Sequence, residues 1–114
     1  FVFLTDNELG FQHKGGLSRA EYIEFCQGAD LLVHDAQYTE EEYRFTRGWG
    51  HSTFRDAMDL ATEAGVKRLG LFHHDPDRTD DDLSRLVEFC RERIYQKSRA
   101  PECFATAEGM EIDL

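Results

Sequence analysis

Three short apolar runs in this chain each stop abruptly at a carboxylate or an imidazole, and that pattern restricts the fold more than anything else in it. Residues 1–4 run into Thr5-Asp6-Asn7, residues 30–33 into His34-Asp35, and residues 66–72 into His73-His74-Asp75-Pro76. Pro76 marks the end of the third run. Proline lacks the N–H that a central strand donates, and it disfavours helix at the residue before it. Between the runs, apolar residues recur at three- and four-residue spacing, the period of a helix buried on one side. Alternating strands and helices predict an α/β fold with a largely parallel sheet. The carboxyl ends of such strands gather along one edge, where α/β folds commonly place their sites. Successive strand residues point to opposite faces, so His73 and His74 diverge, and so do His34 and Asp35.

The helices are marked by their caps. Ser18 and Glu21, then Thr39 and Glu42, have capping-box spacing. Tyr22, Ile23, Phe25 and Cys26 give the first helix its apolar side, and Gly28 closes it. Ser52 is placed to cap a third helix, whose buried side is Phe54, Ala57, Met58, Leu60, Ala61 and Ala64, with Gly65 at its end. Thr79-Asp80-Asp81-Asp82 puts acids at a helix amino end, as the macrodipole favours. Leu83, Leu86, Val87, Cys90 and Ile94 continue that helix. Residues 101–107 and 110–114 are two β candidates around Glu108-Gly109, expected to form a hairpin. Residues 9–17 read as a loop with His13 solvated, and residues 1–4 as a buried strand.

The 23 acidic residues outnumber the 13 basic ones, for a net charge of −10. Such a surface repels phosphate backbones and argues against nonspecific nucleic-acid binding. Wherever an anionic substrate sits, metal or local cations must hold it. Cys26, Cys90 and Cys103 lack close metal-ligand spacing, and their odd number fits reduced thiols in a cytoplasmic protein. No apolar run approaches the roughly 20 residues of a membrane span. The start at Phe1, without an initiating methionine, reads as the middle of a fold and predicts a fragment.

Four motifs in order carry a resemblance: Leu4-Thr5-Asp6-Asn7, Leu32-Val33-His34-Asp35-Ala36-Gln37-Tyr38, Gly48-Trp49-Gly50-His51-Ser52-Thr53, and Leu71-Phe72-His73-His74-Asp75-Pro76. Together, with the closing Glu108-Gly109-Met110, they resemble the carboxyl-terminal half of the metallo-β-lactamase fold, in its branch of ribonuclease Z and related metal-dependent phosphodiesterases. The resemblance implies that residues 1–114 are one half of an αββα sandwich, with the preceding half as partner. In that family the aspartate matching Asp6 bridges two metal ions and the histidine matching His73 binds one of them. The histidine matching His51 and the acid matching Asp35 form a dyad beside them. His34, His74 and Asp75 match no ligand and are expected to support the ligands from behind. Trp49 lines the substrate mouth or packs on its loop.

The family commonly has Glu in place of Asp35 and Thr in place of Gln37. Its His-x-His-x-Asp-His motif does not occur in this chain, so the resemblance assigns part of the ligand set to the other half, and this segment is expected to be inactive alone. What the resemblance implies is a hydrolase with two divalent metals, zinc first and manganese or iron as alternatives. Its substrate would be a phosphodiester, a small or cyclic nucleotide before transfer RNA because of the acidic balance. A homodimer is one candidate assembly. The rival readings are hydrolysis of esters, thioesters or lactones on the same fold, and a noncatalytic sensing module.

Overall fold

The computed structural model describes residues 1–72, 78–95 and 101–113, with the backbone alone for 93–95. The elements are β1 (Val2–Leu4), α1 (Arg19–Cys26), β2 (Leu32–Asp35), α2 (Glu40–Thr46), α3 (Phe54–Glu63), β3 (Arg68–Phe72), α4 (Asp80–Tyr95) and β4 (Glu102–Ala105). The strands form one sheet in the order β1-β2-β3-β4, and every pairing is parallel. Parallel neighbours need a crossover, which α1, the α2–α3 pair and α4 supply.

Register sorts the side chains. Val2, Leu32, Leu69 and Cys103 lie side by side, as do Leu4, His34, Leu71 and Ala105, so both rows share one face. On that face Leu32, Leu69, Leu71 and Cys103 join Cys26 of α1, Ala57, Met58, Leu60 and Ala61 of α3, and Val87 and Cys90 of α4 in the core. The opposite face carries Phe3, Val33, Gly70 and Phe104. There Phe3 meets Phe72 edge to face, with ring centroids 5.1 Å apart.

Both capping boxes form, at Ser18–Glu21 and Thr39–Glu42. Four expectations are corrected. The cap of α3 is Thr53, whose hydroxyl accepts from the Asp56 N–H at 3.1 Å, because Ser52 turns inward. Phe25 is exposed, so only Tyr22, Ile23 and Cys26 of α1 face the core. β1 is a sheet edge with Phe3 half exposed rather than a buried strand. The hairpin does not form: β4 pairs with β3, and residues 110–113 hold no strand. The Arg68 guanidinium, at the start of β3, instead donates to the Asp113 carbonyl at 2.7 Å.

Candidate active site

The carboxyl ends of β1 and β2 and the loop before α3 bring three predicted residues together. Asp35 closes β2 and is fully buried. Its Oδ2 accepts from His51 Nδ1 at 2.6 Å, while Oδ1 accepts the backbone N–H of Gln37 at 3.2 Å and of Ser52 at 3.3 Å. Donors on both oxygens fix the carboxylate, and the short contact to a ring nitrogen has the length of a charge-assisted bond. Nδ1 therefore carries a hydrogen, and Nε2 is the ring nitrogen that can exchange a proton with a substrate. Tyr38 stands edge-on to the ring at 6.0 Å. A short parallel bridge, Tyr38 to Thr53, holds the His51 loop against the end of β2.

Asp6 follows β1 with φ +49°, the one non-glycine positive φ among the described residues. Aspartate tolerates that left-handed backbone better than most residues. Its carboxylate is mostly exposed, with Oδ1 4.0 Å from His51 Nδ1. Asp6, Asp35 and His51 can each offer one ligand atom, and these atoms lie within 4.8 Å of one another. His73, His74 and Asp75 lie outside the described residues.

His34 is buried on the helix-facing side of the sheet, and its ring is spanned by two partners. Nδ1 donates to the Asp35 carbonyl at 2.7 Å, and Nε2 accepts from the Asn7 amide at 3.1 Å. Burial pushes its pKa down, against the opposing pull of the Asp35 carbonyl and charge. A neutral ring suits both contacts.

No family model matches the chain. Curated relatives do. A ribonuclease Z of Saccharolobus islandicus is 41% identical over 80 residues, covering 70% of this chain and 26% of the relative. That of Haloferax volcanii is 37% identical over 92 residues, 81% of this chain and 27% of its own length. That of Brevibacillus brevis is 47% identical over 60 residues, 53% and 19% respectively. The chain thus spans about a quarter or less of the curated relatives it matches. Among solved structures, human tRNase Z, short form, superposes with a TM-score of 0.59 at 24% identity, over 86% of this chain and 29% of that one. The metallo-β-lactamase fold protein YhfI from Bacillus subtilis gives 0.62 at 22%, over 79% and 33%. This is a ribonuclease Z-like segment of the metallo-β-lactamase fold.

The donors in the ribonuclease Z-like segment fit a divalent metal of the zinc, manganese or iron kind. They are carboxylate oxygen and imidazole nitrogen, and all three thiols are buried as free cysteines away from the cluster. Within the cluster both Asp35 oxygens already accept from N–H donors, so the exposed Asp6 carboxylate is the one better suited to face a cation.

Sequence reasoning missed a second buried carboxylate. Glu8 is buried, and four donors fill its oxygens: Tyr43 Oη and Gly48 N–H at Oε2 (2.5 and 2.7 Å), Gly50 N–H and His13 Nε2 at Oε1 (both 2.9 Å). Burial alone would raise its pKa, but the bonds from Tyr43, Gly48, His13 and Gly50 outweigh it and hold the carboxyl below its ordinary value. Burial, and then the bond to Glu8 and its charge, push the Tyr43 phenol upward. His13, expected to be solvated, is thereby partnered. Ser52, expected as a cap, donates to the Asn7 carbonyl at 2.5 Å and accepts the Leu9 N–H at 2.9 Å. The signal available in the sequence was the Gly48-Trp49-Gly50 triplet. Its glycines sit at φ +91° and +98°, where side chains are rarely tolerated.

Proposed function

We propose that residues 1–114 are the carboxyl-terminal half of an αββα metallohydrolase and that the whole protein cleaves phosphodiesters. The observation that carries this reading is the 2.6 Å Asp35–His51 pair with the exposed Asp6 carboxylate beside it, at the carboxyl edge of a parallel sheet. The curated relatives are ribonucleases by name, which supports phosphodiester chemistry. A segment of net charge −10 offers no basic track for a long RNA, which favours a small or cyclic nucleotide.

In this reading Asp6 and His73 contribute to a dinuclear centre, zinc before manganese or iron, and the rest of the ligands come from the other half of the domain. A divalent centre held there would supply Lewis-acid chemistry toward the phosphoryl group and water. Asp35 accepts from Nδ1–H and so holds the imidazole of His51 in one orientation, leaving Nε2 as the ring nitrogen from which a proton can pass to the departing oxygen. His34, bonded to the Asp35 carbonyl, steadies that strand end. The setting is cytoplasmic, consistent with three free thiols and with no described helix long and apolar enough to cross a membrane. A homodimer is the assembly considered.

The test separates leaving groups. A nitrophenolate departs without a proton, whereas a ribose alkoxide needs one. His51→Ala in the full-length protein should slow a nucleotide phosphodiester on the order of 10²–10⁴-fold, the range of a positioned general acid. The same change should slow a nitrophenyl phosphodiester only mildly, with metal content unchanged. Equal slowing of both substrates with loss of metal would make His51 a ligand and end the acid role.

A further inference from the structure

We propose that Glu8 is a positioning residue for the His51–Asp35 pair, anchoring the backbone on the amino side of His51 so that its Nδ1–H meets Asp35 Oδ2. This rests on the role given to that pair above. Glu8 belongs to the loop after β1, and its side chain is wholly shielded from solvent. Both oxygens are filled by donors drawn from three places: His13 in the same loop, and, far along the chain, Tyr43 on α2 and the N–H groups of Gly48 and Gly50. Neither lysine nor arginine is among them. The carboxylate is held by backbone dipoles, a hydroxyl and an imidazole, so its oxygens are committed inward.

A buried carboxylate must keep its lone pairs occupied. Displacing Gly48 or Gly50 would strip a donor from it, so the charge fixes the loop. The positive φ of both glycines is what lets alternate N–H groups converge on one carboxylate. His51 is the next residue. On its other side, Ser52 is bolted by its hydroxyl to Asn7 and Leu9. The residues flanking His51 are therefore tied to Asn7, Glu8 and Leu9, the stretch that also carries Asp6. Asp6 and His51 sit 4.0 Å apart in one frame, and Glu8 is its central fastening.

The test uses the full-length protein with Glu8→Gln and Tyr43→Phe. Glutamine keeps the shape but turns an NH2 toward donors, breaking about half the cradle. Proton NMR of the His51 ring should show the Nδ1–H signal shifted upfield and exchanging faster with water in both variants, less so in Tyr43→Phe. A core change of similar destabilisation, Leu60→Ala, should leave that signal in place. Tyr43→Phe removes one donor only, and it carries the measurement should Glu8→Gln fail to fold. In kinetics, Glu8→Gln should lower kcat for a nucleotide phosphodiester on the order of 10²-fold, as a misplaced group does. It should cost nothing further in a His51→Ala background, where there is no ring to position. An unmoved ring proton, or the same fold-loss with His51 already gone, would overturn the proposal. A protein inactive on every phosphodiester would sink the functional reading instead, and the ring-proton measurement would still decide the role of Glu8.

Discussion

Ser52→Ala isolates the bolt between the first loop and the His51 loop. Ser52 is fully buried, and its hydroxyl both donates to the Asn7 carbonyl and accepts the Leu9 N–H. Alanine fits the space, so the change removes one oxygen and orphans two backbone groups. A hydrogen bond contributes about 1 kcal/mol net, and stranding a buried partner costs about 1–3 kcal/mol. Both stranded groups are only partly buried. The lower half of that range therefore applies, and the total comes to about 2–4 kcal/mol. Thr53→Val, which removes the true α3 cap while keeping volume, should cost about 1 kcal/mol. Urea unfolding at fixed pH gives both numbers from the midpoint and slope. The order matters more than either value. If Thr53→Val destabilises more than Ser52→Ala, then Ser52 is no bolt and the two loops are joined by something else.

Three further outcomes are expected. Gly70→Ala places a methyl 3.1 Å from Thr106 Cγ2 and 3.2 Å from the Phe104 ring, so it should cost about 1–2 kcal/mol by thermal denaturation, as overpacking does. Burial, reinforced by Glu40, raises the folded-state pKa of Asp56 above its unfolded value. The resulting penalty is absent below the unfolded pKa and grows as pH rises through the folded one. Asp56→Asn should accordingly stabilise at neutral pH and make no difference in acid, as urea titrations at the two pH values would show. Asp6→Ala in the full-length protein should lower metal content after dialysis, because an exposed anionic ligand is lost beside a centre that needs charge compensation. Unchanged metal would remove Asp6 from the ligand set.

What could be read from the sequence was what local rules govern. Ser18–Glu21 and Thr39–Glu42 are satisfied within four residues, so their spacing alone announces the helices. Asp35 and His34 were visible because they interrupt an apolar run. The Asp35–His51 pairing was implied by resemblance, and its 2.6 Å geometry came only with the fold. Glu8 was illegible for a physical reason. Three of its four donors lie 35 or more positions away, and in the sequence it is one acid among 23. Ser52 and Thr53 are both plausible caps by composition, and tertiary demand for the Ser52 hydroxyl decides between them. The false hairpin had the same root, since β4 meets a better partner in β3 than in its own sequel.

Strand order equals chain order in this sheet, and that has a consequence for biosynthesis. Each strand docks on the one made just before it, so the sheet can grow as the polypeptide leaves the ribosome, without waiting for a distant edge. Asp6, Glu8, Asp35 and His51 all belong to β1, β2 and the loops up to α3. Their wiring can be laid down in a nascent chain that still lacks β3. Leu69 and Leu71 of β3, Val87 and Cys90 of α4 and Cys103 of β4 arrive later and seal α3 over the sheet. A premature stop after α3 would thus release a chain with its polar contacts drawn but its interior open to chaperones and proteases.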